Sequence, residues 1–257
     1  ILPISAFAES NWKHTSKSTM LMKLNFEQER ILAVVAHPDD AELLCAGTLA
    51  RAQQDGAEIG ICVLCQGDKG QPDPPRDNLV EVRQHEMHSA AKLINAELFL
   101  GEQPDGGLFD NLDLRGKLTE IMRQFSPTLV LSHSQSDYHV DHRTSSVITE
   151  AATWFTASAG NKTNSPALAK PPALWWMDTI NMTSFEPHFY IDVSDYVETK
   201  VSMLNCHQSQ LQRGKDSSFS PLQELMIQQC HARGQQSGVK AAEAFQTHSA
   251  WKRCAAW

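Results

Sequence analysis

Two short stretches of this 257-residue chain concentrate side chains that move protons and bind metals: "AHPDDAE" at 36–42 and "HSQSDYHVDH" at 133–142. His37 and Asp40 lie three apart in the first, and His142 closes the second. Two imidazoles and one carboxylate form an N/O donor set suited to zinc, with a position left open for water. A catalytic zinc lowers the pKa of that water to about 7, so hydroxide is available at neutral pH. Asp39, beside the ligand Asp40, is placed to take the water's proton as general base. An Asp-Asp pair after a strand also serves as a helix N-cap. A second reactive cluster, about a hundred positions downstream, favours a shared site over capping alone.

Such a site needs elements that deliver both clusters to one place. The apolar runs "RILAVVA", "EIGICVLC", "ELFLG" and "TLVLS" have the length and character of strands buried on both faces. Between them lie amphipathic stretches. "AELLCAGTLARAQQDG" reads as one helix stopped by Gly56. "LVEVRQHEMHSAAKLINA" places Val80, Met87, Ala91 and Ile94 on one face, and "LDLRGKLTEIMRQFS" and "RTSSVITEAATWFTAS" read as two further helices. Strict alternation of strand and helix predicts an α/β fold: a Rossmann-like, mostly parallel sheet with helices on both faces. Ligands of such sheets bind at the carboxyl ends of the strands, where both reactive clusters fall. "ALWWMDT" and "HFYIDVS" are expected to add an edge or hairpin, and the tail from "VETKVSMLNCHQSQLQ" onward to be helical, giving a C-terminal helical or hairpin extension. "SAGNKTNSPALAKPPA" reads as a surface loop. Residues 1–21 are expected to be a leader or a disordered N-terminus ahead of a start at Met20 or Met22, with 22–257 forming a single domain.

Composition narrows the function classes. At 41% hydrophobic residues the chain can bury a sizeable core. Twenty-two basic against 30 acidic residues, a formal charge of −8, argue against nucleic acid or an anionic membrane surface as partner. No stretch approaches the roughly 20 apolar residues of a membrane span. The six cysteines include a lone CxxC, Cys62 and Cys65, inside an apolar run, so buried reduced thiols in the cytoplasm are expected. "HEMH" at 85–88 lacks the spacing of the helical metalloprotease motif and reads as a helix face. Trp175 and Trp176 read as core or interface residues rather than a sugar-stacking platform.

"AHPDDAE" followed by "DYHVDHR" resembles the zinc-dependent PIG-L/LmbE N-deacetylases, over most of the chain from Ile31 to Phe245. The resemblance implies hydrolysis of the acetamide of N-acetylglucosamine-type conjugates, one Zn2+ per chain held by His37, Asp40 and His142, and Asp39 as base. It further implies that His139 stabilises the oxyanion or protonates the leaving amine, and that Asp141 orients a histidine. Arg83 would hold substrate, and Asp105 would grip sugar hydroxyls. "CHQSQ" at 206–210 puts His207 at the pocket wall or, alternatively, on a helix face in a hydrogen bond. Relatives assemble as homo-oligomers, so a trimer or hexamer is expected. "HPDDAE" and the ending "RGQQSGVKAAEAF" lean towards the branch acting on conjugates such as the bacillithiol precursor. The chain departs from the pattern at Val140, usually proline, and at Gln71, where some relatives present an acidic group. The rival readings are hydrolysis of a non-sugar amide at the same site and a non-catalytic sugar- or metal-binding protein. A dinucleotide-dependent oxidoreductase is excluded, since no glycine stands in the turn after the first strand.

Overall fold

The computed structural model describes residues 25–211, 213 and 221–249. Seven strands form one sheet: β1 (Arg30–Val35), β2 (Glu58–Cys65), β3 (Glu97–Gln103), β4 (Leu129–Ser132), β5 (Ala173–Met177), β6 (Phe189–Asp192) and β7 (Ala242–Thr247), in the order β3-β2-β1-β4-β5-β7-β6. Eight helices complete the described residues: α1 (Asp40–Leu44), α2 (Ala46–Asp55), α3 (Leu79–Lys92), α4 (Leu112–Phe125), α5 (Val140–Thr156), α6 (Val197–Leu204), α7 (Gln208–Leu211) and α8 (Leu222–Ser237).

Side chains of β1 alternate between two cores, as the period of a strand requires. Ile31, Ala33 and Val35 join Leu49, Met87 and Met203 on one face, and Leu32 and Val34 join Leu118, Met122 and Ile148 on the other. Both faces are therefore covered. The chain moves outward from β1 through β2 to β3, then returns to place β4 on the opposite side of β1. That reversal is the topological switch point at which open α/β sheets bind ligands. Val34 pairs with Ser132, so the carboxyl ends of β1 and β4 are flush and deliver the two reactive clusters side by side.

Two expectations are corrected, and a third is resolved. The helix expected over 41–56 breaks at Cys45 into α1 and α2. In an unbroken helix the amides of Gly47 and Thr48 would reach back four residues; here they donate to the carboxylate of Glu243 at 3.0 and 2.7 Å. Gly47 is needed there, because a Cβ would stand 2.8 Å from that of Val193. The tail is not wholly helical, since "AEAFQT" forms β7. Of the edge or hairpin expected from "ALWWMDT" and "HFYIDVS", the edge holds: β6 closes one side of the sheet, with β7 between it and β5 and antiparallel to both.

Other expectations hold. Trp175 and Trp176 are buried, His85 and His88 are exposed, and the five described cysteines are free thiols, with Cys62 and Cys65 unbridged. Residues 1–21 and Cys254 lie outside the described residues. Among the described residues, no helix is long and apolar enough to cross a membrane.

Candidate metal and catalytic site

The turn after β1 is wound tightly by its own side chains. Asp40 accepts the backbone amide of His37 through Oδ2 at 2.7 Å, and the Asp39 carbonyl accepts the amide of Leu43. Asp39 itself sits at φ 95°, a left-handed conformation that costs a non-glycine residue roughly 1–2 kcal/mol. Arg83 of α3, only 2% exposed, donates from Nη2 to the carbonyl of Pro38 and approaches Asp39 Oδ2 at 3.5 Å. The strain is thus held from outside the turn, and it sets Asp39 and Asp40 in different directions.

Donor atoms of three residues converge above this turn, both oxygens of Asp40 among them. His37 Nδ1 lies 3.3 Å from His142 Nε2 and 3.4 Å from Asp40 Oδ2, and Asp40 Oδ1 lies 3.4 Å from His142 Nε2. Ligand bonds of about 2.0–2.1 Å around a tetrahedral divalent ion separate the donors by about 3.3 Å. The residues present therefore fit such an ion. Each ring is also held from behind. His37 Nε2 meets Asp141 Oδ2 at 3.1 Å, and His142 Nδ1 meets Asp137 Oδ1 at 3.0 Å. The hydrogen bond to Asp141 fixes the His37 tautomer, Asp137 places a negative charge beside His142 Nδ1, and both leave the inner nitrogens free to coordinate. Asp141 is in turn oriented by the Gly106 amide at 2.7 Å, and Asp137 by the His139 amide at 2.8 Å.

Electrostatics follow the geometry. Burial would push Asp40 up, but His142 and His133 hold its carboxyl well below the usual range. At His37 burial is outweighed by Asp141 and Asp40, which lift the ring to about 10, and at His142 Asp40 and Asp137 lift it to about 9. Without a metal the cluster therefore holds protons where a divalent ion would supply the positive charge. Asp39 differs: burial pushes its carboxyl up, only partly offset by Arg83, which makes it a stronger base than an ordinary aspartate.

Residues 32–153 match the profile of the PIG-L family, described as GlcNAc-PI de-N-acetylase. The chain carries a PIG-L domain. A 1D-myo-inositol 2-acetamido-2-deoxy-alpha-D-glucopyranoside deacetylase of Mycobacteroides abscessus is 25% identical, across 77% of this chain and 87% of its own length. A 4-oxalmesaconate hydratase of Pseudomonas putida is 22% identical, across 71% of this chain and 74% of its own. Among solved structures, a conserved protein from Thermus thermophilus superposes with a TM-score of 0.75 at 27% identity, covering 86% of this chain and 94% of that one.

The PIG-L domain opens at this site into a cavity of about 790 Å³, whose walls include His37, Asp39, Asp40, Tyr138, His139 and His142. His139 caps α5, its Nδ1 accepting the Asp141 amide at 3.2 Å, so the ring proton resides on Nε2. Burial and the neighbouring His142 and His37 push its pKa down, so it is neutral at pH 7. Arg83 and Asp105 also border the cavity, but each has work in the scaffold. Arg83 holds the metal turn. Asp105 accepts the amides of Gly67 and Lys69 at 2.8 and 3.1 Å, one on each oxygen, which ties down that loop at the cavity edge. His207 does not line the cavity. It is 0% exposed between α6 and α7, with Nε2 3.4 Å from Glu42 Oε1 and neither ring nitrogen in a hydrogen bond, so it matches neither the pocket-wall nor the helix-face expectation.

Sequence reasoning missed two partners. Asp137 lies within the quoted second cluster, five residues before His142, yet nothing in that spacing marks it as the backing group. His133 is fully buried at the end of β4, with Nε2 2.9 Å from the Ala36 amide and 3.3 Å from Asp40 Oδ2, its ring stacked on His142 at 4.0 Å. Burial and the neighbouring His142 push it down to about 4, so the ring is neutral and its Nε2 serves as acceptor for the Ala36 amide at the root of the metal turn. Its position directly after an apolar strand was the available signal.

Proposed function

We propose that this protein is a zinc-dependent hydrolase that removes the N-acetyl group from an N-acetylglucosamine-type conjugate, giving a free amine and acetate. The observation that carries this reading is the triangle of His37, Asp40 and His142 donors with Asp39 one residue away, in a domain whose relatives include a GlcNAc-inositol deacetylase. A zinc ion bound by His37 Nδ1, the Asp40 carboxylate and His142 Nε2 would supply Lewis acidity to the amide carbonyl and acidify water.

The chain's own groups do the rest. Asp39, its basicity raised by burial, takes the proton from the attacking water. His139 donates from Nε2 to the oxygen that gains charge as the carbonyl carbon becomes tetrahedral; such a donor contributes on the order of a hundredfold or more in rate. Asp39 then returns its proton to the departing nitrogen as the C–N bond breaks. Asp141 keeps the His37 ring in the coordinating tautomer throughout, and Asp137 keeps a negative charge beside His142 Nδ1. The free thiols of the five described cysteines fit a cytoplasmic setting.

A second reading, a hydratase reaction, is favoured by the likeness to the Pseudomonas putida protein. The test is amine release from a panel of N-acetylglucosamine conjugates, with purified, chelated and zinc-restored protein. Release that stops on chelation and returns with zinc is expected. The Asp39→Asn variant should keep its zinc while turnover falls a hundredfold or more. A zinc-loaded protein that frees no amine from any member, or a fully active Asp39→Asn variant, would refute the assignment.

A further inference from the structure

A second, much smaller chamber adjoins the main cavity at the donor triangle. Its volume is about 50 Å³, and it shares Asp40, Leu43, Tyr138, His142 and Leu222 with the large one. Its remaining walls are chiefly apolar: Leu44, Ile180 and Leu225. Asp137 also borders it, but that carboxylate is already committed to His142. His37 and Asp39 line only the large cavity, so the chamber lies on the Asp40–His142 side of the triangle, away from the proposed base.

We infer that this chamber is the acyl pocket of the enzyme and that it restricts the reaction to acetyl-sized groups. The inference rests on the deacylase reading and adds to it the substrate property of acyl length. An amide carbonyl polarised at the triangle has two substituents to place. The nitrogen carries the sugar and whatever is attached to it, and only the cavity of about 790 Å³ has room for those. The other substituent is the acyl chain, and the space left beside Asp40 and His142 is small and walled by leucine and isoleucine. An apolar cavity of about 150 Å³ takes one benzene, roughly 25 Å³ per heavy atom. By that measure 50 Å³ holds about two heavy atoms, a methyl and the carbonyl carbon that bears it. A butanoyl chain would have to displace Ile180 or Leu225, and forcing extra methylenes into filled space is unfavourable.

The experiment is a chain-length series on one amino-sugar scaffold, N-acetyl to N-propanoyl, N-butanoyl and N-hexanoyl, with kcat/KM measured for wild type, Ile180→Ala and Leu225→Ala. One methylene in an apolar pocket is worth roughly 10–200-fold in discrimination. Wild type should therefore fall at least tenfold from acetyl to propanoyl and further to butanoyl, and each alanine variant should move the butanoyl-to-acetyl ratio upward at least tenfold. Acetate should also inhibit wild type more strongly than butanoate, with the order reversed in the variants. If a variant does not fold, Ile180→Val or Leu225→Val takes its place. Equal turnover of acetyl and hexanoyl substrates by wild type would overturn the acyl pocket while leaving the deacylase reading intact. A steep series unmoved by any of these substitutions would overturn it too, placing the limit elsewhere and the chamber as a water site. Absence of amine from every substrate would instead refute the underlying function.

Discussion

Replacing Asp141 by asparagine keeps the shape of the side chain and removes its charge. In the native site its carboxylate faces His37 Nε2 at 3.1 Å while accepting the Gly106 amide at 2.7 Å. Asparagine can still accept one hydrogen bond, but a neutral acceptor is worth roughly half a charged one. The His37 ring then loses both basicity and part of its orientation. Loss of such a backing group costs roughly 10–100-fold in metal affinity, about 1.4–2.7 kcal/mol. Asp137→Asn acts on the other ring, through the 3.0 Å contact to His142 Nδ1, and should cost the same. The two carboxylates touch different histidines, but those rings lie 3.3 Å apart and would hold one ion, so the two losses should couple by about 0.5–3 kcal/mol rather than add, and the double variant should bind more weakly than either single one. Zinc affinity is read by competition with a chromophoric chelator at fixed pH and ionic strength. A melting curve of the metal-free proteins checks that the fold is intact. If either single variant binds zinc within twofold of wild type, the ring-backing argument fails for that histidine.

Two further outcomes follow from the same charges. Lys200, fully buried, is paired with Glu243, whose carboxylate also takes the amides of Gly47 and Thr48. Glu243→Gln strands that ammonium and should cost about 3–5 kcal/mol in a urea titration, most of it recovered in Glu243→Gln/Lys200→Met; a double variant no more stable than the single would refute the pairing. Zinc uptake should strengthen as pH rises from about 6 to about 9, because the ion must displace protons from His37 (lifted to about 10) and His142 (lifted to about 9). Calorimetry in buffers of different ionisation enthalpy would show the released protons, and a pH-independent affinity would contradict the shifts. The sign for the metal-free fold is the opposite: both raised rings stabilise it fully below about pH 6.5, and that gain is lost as pH climbs through about 9 to 10.

The site was legible to the extent that its chemistry is written in side chains placed by strand ends. Ile31–Val35 is apolar throughout because β1 is buried on both faces, and a run of that kind ending in "HPDD" announces a loop at the carboxyl edge of a sheet. The second cluster follows β4 in the same way, and the adjacency of β1 and β4 brings together His37 and His142, 105 positions apart in sequence. Residues whose value depends on a partner were harder to read. Asp137 and Asp141 flank His139 symmetrically, and only the fold shows that one backs His142 and the other His37. Arg83 has the residue type of a substrate ligand and borders the cavity, but only the fold shows that it also holds Pro38 from under the turn.

The corrections to the fold share a single physical cause. "AEAF" has the composition of a helix, since alanine and glutamate are strong helix formers, but its alternation also suits a strand with two different faces. The free slot between β5 and β6 selects the strand. It also sends Glu243 inward, where an unpaired carboxylate would be costly. Lys200 from α6 and the two amides of α2 satisfy it. Those amides are available only because the helix has broken at Cys45, a position with neither glycine nor proline to signal a stop. The break therefore answers a carboxylate almost two hundred residues away. It leaves α1 as a separate short helix that begins at Asp40 and packs against β1, α6 and α8. The buried pair between the sheet and α2 thus goes with a separate α1 that starts at Asp40, a connection that no local reading of "AELLCAG" could supply.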